Sequence, residues 1–314
     1  MVKANPSIYN KHSLGTRLAR DFKMNKYKYL LILPVLVYLA LFAYKPMYGL
    51  IIAFKNYRTT RGIFGSDWVG VLWFETFFTD PYFWRLLRNT FLLSALSIVF
   101  GFPAPILLAL MLNEVTNTKF KRTVQTITYM PYFISLVVTC SLIKIYCQEN
   151  GLFSDIAEFF GGTRQNLMIN PGAFRSIYVI SGIWQSIGWN SIIYLAAIAG
   201  IDESLYEAAM VDGANRFQSA LHITLPSLMS TFIVVLLLQI GSFMSAGFDQ
   251  YFAFSNIMVQ SKLEVIDLYT YRIGMKTMDY SFATAISILQ SIVSVALLML
   301  VNGFSRLTRG EGII

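Results

Sequence analysis

Six runs of roughly twenty or more mainly apolar residues divide this 314-residue chain, at 29–52, 88–112, 124–146, 174–200, 226–247 and 281–304. A helix needs about that length to cross the hydrocarbon core of a bilayer, and within lipid it satisfies its own backbone. A soluble domain could not cover so much apolar surface. Hydrophobic residues make up 55% of the chain and charged residues 13%, against about one quarter charged in soluble domains. The expected fold is an all-α integral membrane domain with six transmembrane helices, no internal repeat and no soluble module.

Charge placement sets the expected topology. Seven of the 25 Lys and Arg precede residue 29: Lys3, Lys11, Arg17, Arg20, Lys23, Lys26 and Lys28. Basic residues directly ahead of an apolar run mark the cytoplasmic side. Residues 1–28 are therefore expected to be a basic cytoplasmic tail, and 29–314 the transmembrane domain. The first apolar run is too long for the core of a signal peptide and has no small-residue cleavage pattern after it. Six crossings return the C-terminus to the cytoplasm, and basic residues fall there again: Lys119, Lys121 and Arg122 in loop 113–123, then Arg306 and Arg309. The net charge of +8 is thus placed by membrane topology, and no nucleic-acid partner is expected.

The expected spans carry no Asp, Glu, Lys, Arg or His near their centres. Lys45 and Lys144 fall near helix ends, from which a long side chain reaches the surface. Ion-coupled carriers place costly ionisable groups at mid-membrane because function requires them. The energy for transport is therefore expected to come from elsewhere, with an ion-coupled solute transporter acting without an ATPase as the alternative. A membrane-embedded enzyme would need clustered catalytic side chains, and His12 and His222 stand apart. Cys140 and Cys147, seven apart on one expected helix, are too distant for a disulfide and make no metal site. Both are expected to pack.

Loop 202–225, between the fourth and fifth runs, is polar but patterned. Ser204-x-x-Glu207 reads as a capping box, starting a helix at about Leu205. Asp212-Gly213 breaks it, since glycine accepts the positive φ of a sharp reversal. Asn215-x-x-Gln218 reads as a second cap, and Pro226 as the start of the next span, where a missing N–H does no harm. The expected unit is helix, glycine turn, helix. From spacing alone it serves equally as an amphipathic connector or as a docking element.

Glu207-Ala208-Ala209, three residues, Gly213, nine residues, Ile223, one residue, Leu225-Pro226 resembles the cytoplasmic signature of bacterial ABC-importer permeases. Pro46-Met47-Tyr48-Gly49, Phe83 to Thr90, Gly101-Phe102-Pro103-Ala104-Pro105 and Lys121-Arg122-x-x-Gln125-Thr126-x-x-Tyr129-x-Pro131 are similar to the carbohydrate-uptake class. Within it they resemble the subgroup handling oligosaccharides released from polysaccharides. The resemblance implies a type I importer permease fold and a coupling helix docked on a separate ATPase. It assigns the ATPase coupling to Glu207, Ala208, Ala209, Asp212, Gly213, Phe217, Ala220 and Leu221. It also implies a second permease chain, an extracytoplasmic sugar-binding protein, and no hydrolysis by this chain. No Gly-x-x-x-x-Gly-Lys-Ser/Thr run is present, so ATP and Mg are expected on the partner ATPase.

A sugar path needs polar groups and rings at membrane depth. The spans flanking the loop offer Gln185, Trp189 and Asn190, then Gln239, Ser242 and Phe243, as in maltose-type relatives. Gln185 and Trp189 are four apart, as are Gln239 and Phe243, so each pair is expected to share a helix face. The bland reading is that such amides, and Gln290 in the sixth run, join helices to one another. Two outer features complete the reading. The aromatic stretch 68–84 is expected at the membrane interface. Lys55, Arg58, Arg61, Arg85 and Arg88 hint at an anionic oligosaccharide or an acidic binding protein.

Overall fold

The structure, a computed structural model, describes residues 23–245 and 247–309. Lys3, Lys11, Arg17 and Arg20 of the expected tail lie outside them. Helix α1 (Lys26–Leu39) continues through a π-helical turn at Ala40–Tyr44 into a 3-10 segment, Tyr48–Phe54. No residue in its most apolar stretch is buried within the chain. Contact with the body begins at the 3-10 segment, where Ala53 is fully buried.

A two-stranded antiparallel ribbon follows, β1 (Lys55–Asn56) with β2 (Asp67–Trp68), then α2 (Leu72–Thr79). The aromatic stretch does more here than lie at an interface. Trp73, Phe77 and Phe83 pack with Leu86, Phe282 and Ile286 in one core cluster, while Trp68, Phe78 and Trp84 stay exposed. The next span is α3 (Phe83–Gly101) and α4 (Pro103–Glu114), a continuous apolar element of 32 residues.

Two of the expected straight spans are bent. The third comprises α5 (Thr118–Tyr129) and α6 (Leu136–Tyr146), which meet at 102°. Pro131 opens a short 3-10 turn between them, and Ile134 turns extended. After α7 (Leu152–Phe159), α8 (Phe174–Ile198) runs unbroken for 25 residues, about 37 Å at the rise of an α-helix. The loop helices α9 (Glu203–Val211) and α10 (Arg216–Ser219) lead to α11 (Met229–Gly241). The fifth span does not start at Pro226. The helical path from Arg216 carries Pro226 within it, breaks at Leu228 and bends by 58° into α11. A proline ring removes one backbone donor and crowds the preceding turn, so both bends fall beside prolines. The last elements are α12 (Phe248–Phe254), α13 (Ile266–Tyr271) and α14 (Tyr280–Arg309).

Among the described residues, three helices are long and apolar enough to cross a membrane, or five with the bent pairs. The polar residues of α8 explain its absence from that set, although its length suffices.

Helix α8 is the central post. Phe102, Ile106 and Ala109 pack against Tyr194 and Ile198 at one end, while Phe174 and Tyr178 pack with Cys140, Cys147, Tyr251 and Phe254 at the other. Both cysteines are buried and free. Gly188, near the middle of α8, lets the bent third span cross closely: a Cβ there would collide with the Thr128 carbonyl. Beyond the helices, Arg85 and Arg272 converge on Glu264 at 2.9 and 2.6 Å. The Glu264 side chain is 2% exposed. This triad fixes the start of α3 to the segment between α12 and α14, helped by Asn89, which donates to the Ser261 and Glu264 carbonyls.

Candidate coupling loop and solute cavity

The polar loop is a compact helical hairpin. Its first helix starts two residues earlier than the capping pattern suggests. Asp202, not Ser204, is the cap, and its carboxylate accepts the Ser204 N–H at 3.0 Å. That bond holds the Asp202 carboxyl below the usual carboxylate range. Glu207, Ala208 and Ala209 follow within α9, with Glu207 and Ala208 exposed. At the far end Gly213 has φ +82°. Its N–H bonds the Met210 carbonyl at 3.1 Å, and the Ala214 N–H bonds that of Ala209 at 2.9 Å. This is a Schellman closure, which uses carbonyls left unpaired at a helix end.

The second helix is capped reciprocally. The Gln218 N–H donates to Asn215 Oδ1 at 2.9 Å, and the Asn215 N–H to Gln218 Oε1 at 2.8 Å. A π-helical turn at Ala220–Thr224 follows, and His222 Nδ1 lies 3.0 Å from the Gln218 carbonyl. The Tyr206 and Thr224 hydroxyls meet across the hairpin at 2.8 Å. Of the residues the resemblance assigned to coupling, Asp212, Phe217 and Leu221 are exposed, while Ala209 and Ala220 are half-buried. Met210, at 66% exposed, and Val211, at 88%, join Phe217, at 76%, in presenting large apolar side chains. A hairpin held by two caps and a Schellman turn offers that apolar set on a defined scaffold.

The two helices joined by this hairpin, α8 and α11, also wall a polar cavity of about 310 Å³. Gln185 and Asn190 of α8 line it, with Gln239 of α11 and Phe243 just beyond α11. Among the described residues, the Asn190 and Gln239 amides have no hydrogen-bond partner, so both are free to meet a solute. Gln185 makes only a long bond, 3.4 Å, to the Ile134 carbonyl. Trp189 and Ser242 are not in the cavity wall. Trp189 stacks on Tyr132 with centroids 4.6 Å apart, and the Ser242 hydroxyl caps the Gln239 carbonyl. Four residues along α8 therefore separate a cavity amide from a packing indole, not two members of one lining face.

Sequence reasoning missed Ser94, Ser97, Tyr178 and Gln250 in the wall. The serines, three apart in the second span, were a legible signal. Gln250 was not: it reaches the cavity because α12 folds back over it, donating to the Tyr178 carbonyl and Ser181 hydroxyl at 3.0 and 2.9 Å. Gln290 joins helices, donating to the Met244 carbonyl and to Asp267. Among the described residues, no group of three or more His, Cys, Asp or Glu is placed to hold a metal.

Comparison with known proteins decides the family. Residues 101–308 match the model of the binding-protein-dependent transport system inner membrane component. The chain belongs to that family. It is a permease subunit of an ABC importer, a membrane transport component and not an enzyme. It is 42% identical over 298 residues to the polygalacturonan/rhamnogalacturonan transport system permease protein YteP of Bacillus subtilis strain 168, covering 95% of this chain and 93% of that one. Identity to the protein LplB of the same organism is 39% over 292 residues, covering 93% and 92%. Among solved structures, it superposes at TM-score 0.87 and 37% identity on a chain of a bacterial ABC transporter involved in the import of the acidic polysaccharide alginate. That match covers 93% of this chain and 99% of the other. A second structure of a bacterial alginate transporter, in complex with an alginate pentasaccharide-bound periplasmic protein, gives the same TM-score and identity over 95% of this chain.

Proposed function

We propose that this permease imports oligosaccharides derived from acidic polysaccharides, delivered by an extracytoplasmic binding protein and driven by ATP hydrolysis on a separate subunit. The reading is carried by one observation: two of the helices that wall the polar cavity, α8 and α11, are the two that the exposed hairpin joins. Movement of the hairpin is transmitted directly to Gln185, Asn190, Gln239 and Phe243. In this mechanism Met210, Val211, Phe217 and Leu221 seat in a groove of the ATPase, and Glu207 and Gly213 set the hairpin's shape. ATP and Mg reside on that ATPase. A second permease, a different chain, completes the path, since the cavity is open and Asn190 is exposed. Both termini and the hairpin face the cytoplasm, in keeping with the basic residues of 1–28 and 113–123. The acidic substrate class is supported by relatives named for polygalacturonan, rhamnogalacturonan and alginate.

The test uses vesicles holding the assembled transporter, with binding protein outside and ATP inside. Uptake of oligogalacturonate should require ATP and survive an uncoupler. Loss of uptake when the proton gradient alone is collapsed would reject ATP coupling. Uptake of neutral but not acidic oligosaccharides would reject the substrate class and leave the coupling intact.

A further inference from the structure

A second cleft shares Val179 and Ile183 with the polar cavity, yet its chemistry is different. It lies between α3 and α8, has a volume of about 300 Å³, and is walled by Leu96, Phe100 and Ile180 besides those two. Its one charged lining residue is Arg175. That guanidinium is poorly served. One Nη donates to Asn89 Oδ1 at a long 3.4 Å, and Nε is buried with no acceptor. Arg88, beside Asn89 in sequence and two helical turns ahead of Leu96, is exposed and acts on Arg175 as a like charge. Among the described residues neither has a carboxylate within ion-pair distance, whereas Arg85 and Arg272 share Glu264. Two neighbouring guanidiniums with no acid between them, one with a buried unpaired donor, leave an anion's place open.

The remaining walls say which anion. A sugar would find Ser176 as its one side-chain hydroxyl there, while an aliphatic chain would find continuous apolar surface. From Arg175 to Ile183 the helix rises about 12 Å. That is less than half of a ~30 Å hydrocarbon core, the depth of part of one leaflet.

We infer that the α3–α8 cleft binds an anionic phospholipid, its phosphate held between Arg88 and Arg175 and an acyl chain laid along Leu96, Phe100 and Ile180. Lipid at this position would screen the two arginines and fill the seam between two helices that also form the solute cavity. The site is independent of what the cavity carries.

The complete transporter, purified in mild detergent, is mixed with phosphatidylglycerol and examined by native mass spectrometry. The wild-type complex should retain the lipid in preference to phosphatidylethanolamine. Arg88→Gln and Arg175→Gln should each lower occupancy roughly fivefold, the worth of one basic residue at an anionic lipid surface. Arg175→Lys should keep most of it. Ile180→Trp, which fills the cleft and leaves the charge alone, should lower occupancy as well. Arg88 and Ile180 are exposed, so those two variants carry the test if Arg175→Gln does not assemble. Unchanged phosphatidylglycerol in Arg88→Gln and Ile180→Trp would overturn the assignment. So would displacement of the lipid by oligogalacturonate, which would give these arginines to the cargo.

Discussion

The hydroxyl of Tyr206 lies 2.8 Å from that of Thr224, and through this contact the first helix of the polar hairpin is pinned to the turn leading into α11. Tyr206 is half-buried and Thr224 is buried, so water competes weakly for the bond. A buried neutral hydrogen bond of this kind contributes about 1 kcal/mol. Tyr206→Phe and Thr224→Val should each leave the protein inserted and bound to its ATPase, with uptake reduced severalfold per ATP hydrolysed. If the bond itself is responsible, the double variant should be no worse than the more impaired single one. Additive losses in that cycle would assign the effect to packing instead.

Gly213 has positive φ and open space around it. A side chain there meets no clash and incurs only the left-handed backbone penalty, about 1–2 kcal/mol. That is too little to unfold the chain but enough to disturb a four-residue turn. Gly213→Asp should abolish uptake and the recovery of ATPase with the purified complex, while membrane insertion stays normal. Normal transport by this variant would mean that the hairpin is not the joint.

Glu264 joins Arg85 and Arg272 and is almost wholly buried. Removing the shared acid leaves two guanidiniums facing one another. The cost of breaking a buried pair is about 3–5 kcal/mol, and the low end applies because both arginines are about one-third exposed. Glu264→Gln should lower the thermal unfolding midpoint of the detergent-solubilised complex by several degrees. Arg85→Gln, which leaves one pair intact, should have the smaller effect.

Gly188 allows the bent third span to cross α8 at backbone distance. Gly188→Ala forces the Thr128 turn outward, at about 1–3 kcal/mol for overpacking. Because Gln185 and Asn190 flank it, the change should impair uptake more than it lowers stability. Equal uptake in wild type and Gly188→Ala would show that the third span gives way without moving the cavity wall.

Asp202 caps α9 with a pKa below the ordinary range. A depressed carboxylate contributes its stabilisation wherever the unfolded form is ionised, and loses it as pH falls through the folded value. No inflexion from this cap is therefore expected in ATP-coupled uptake above about pH 5. Asp202→Asn, an equally good cap, should transport normally there, and Asp202→Ala should not.

Much of this was legible in the chain because it rests on local chemistry. The apolar runs announced the long helices, Asn215 and Gln218 announced their reciprocal cap, and Asp212-Gly213 announced the turn. The first cap was misread by two residues because Asp202 and Ser204 are both good capping residues, and only the backbone direction decides between them. The bends at Ile134 and Leu228 were signalled by Pro131 and Pro226 but hidden within apolar composition, which is indifferent to direction. The basic outer loop was harder to read for a different reason. Lys55 donates to the Ile63 and Ser66 carbonyls, Arg61 pairs with Asp67, and Arg85 pairs with Glu264. Ion pairs between distant segments cannot be counted from one sequence. They left Arg88 as the basic residue of that set that sits beside an unsatisfied partner, Arg175.

The hairpin's apolar tips, Val211 and Phe217, and the cavity amides, Asn190 and Gln239, occupy separate stretches of one continuous polypeptide. If the hairpin seats on the ATPase and the cavity holds the sugar, as proposed, choice of motor and choice of cargo are written in different places. Substitutions in α8 and α11 could then follow a change of cargo, and substitutions among the exposed side chains of the hairpin a change of motor, each without disturbing the other.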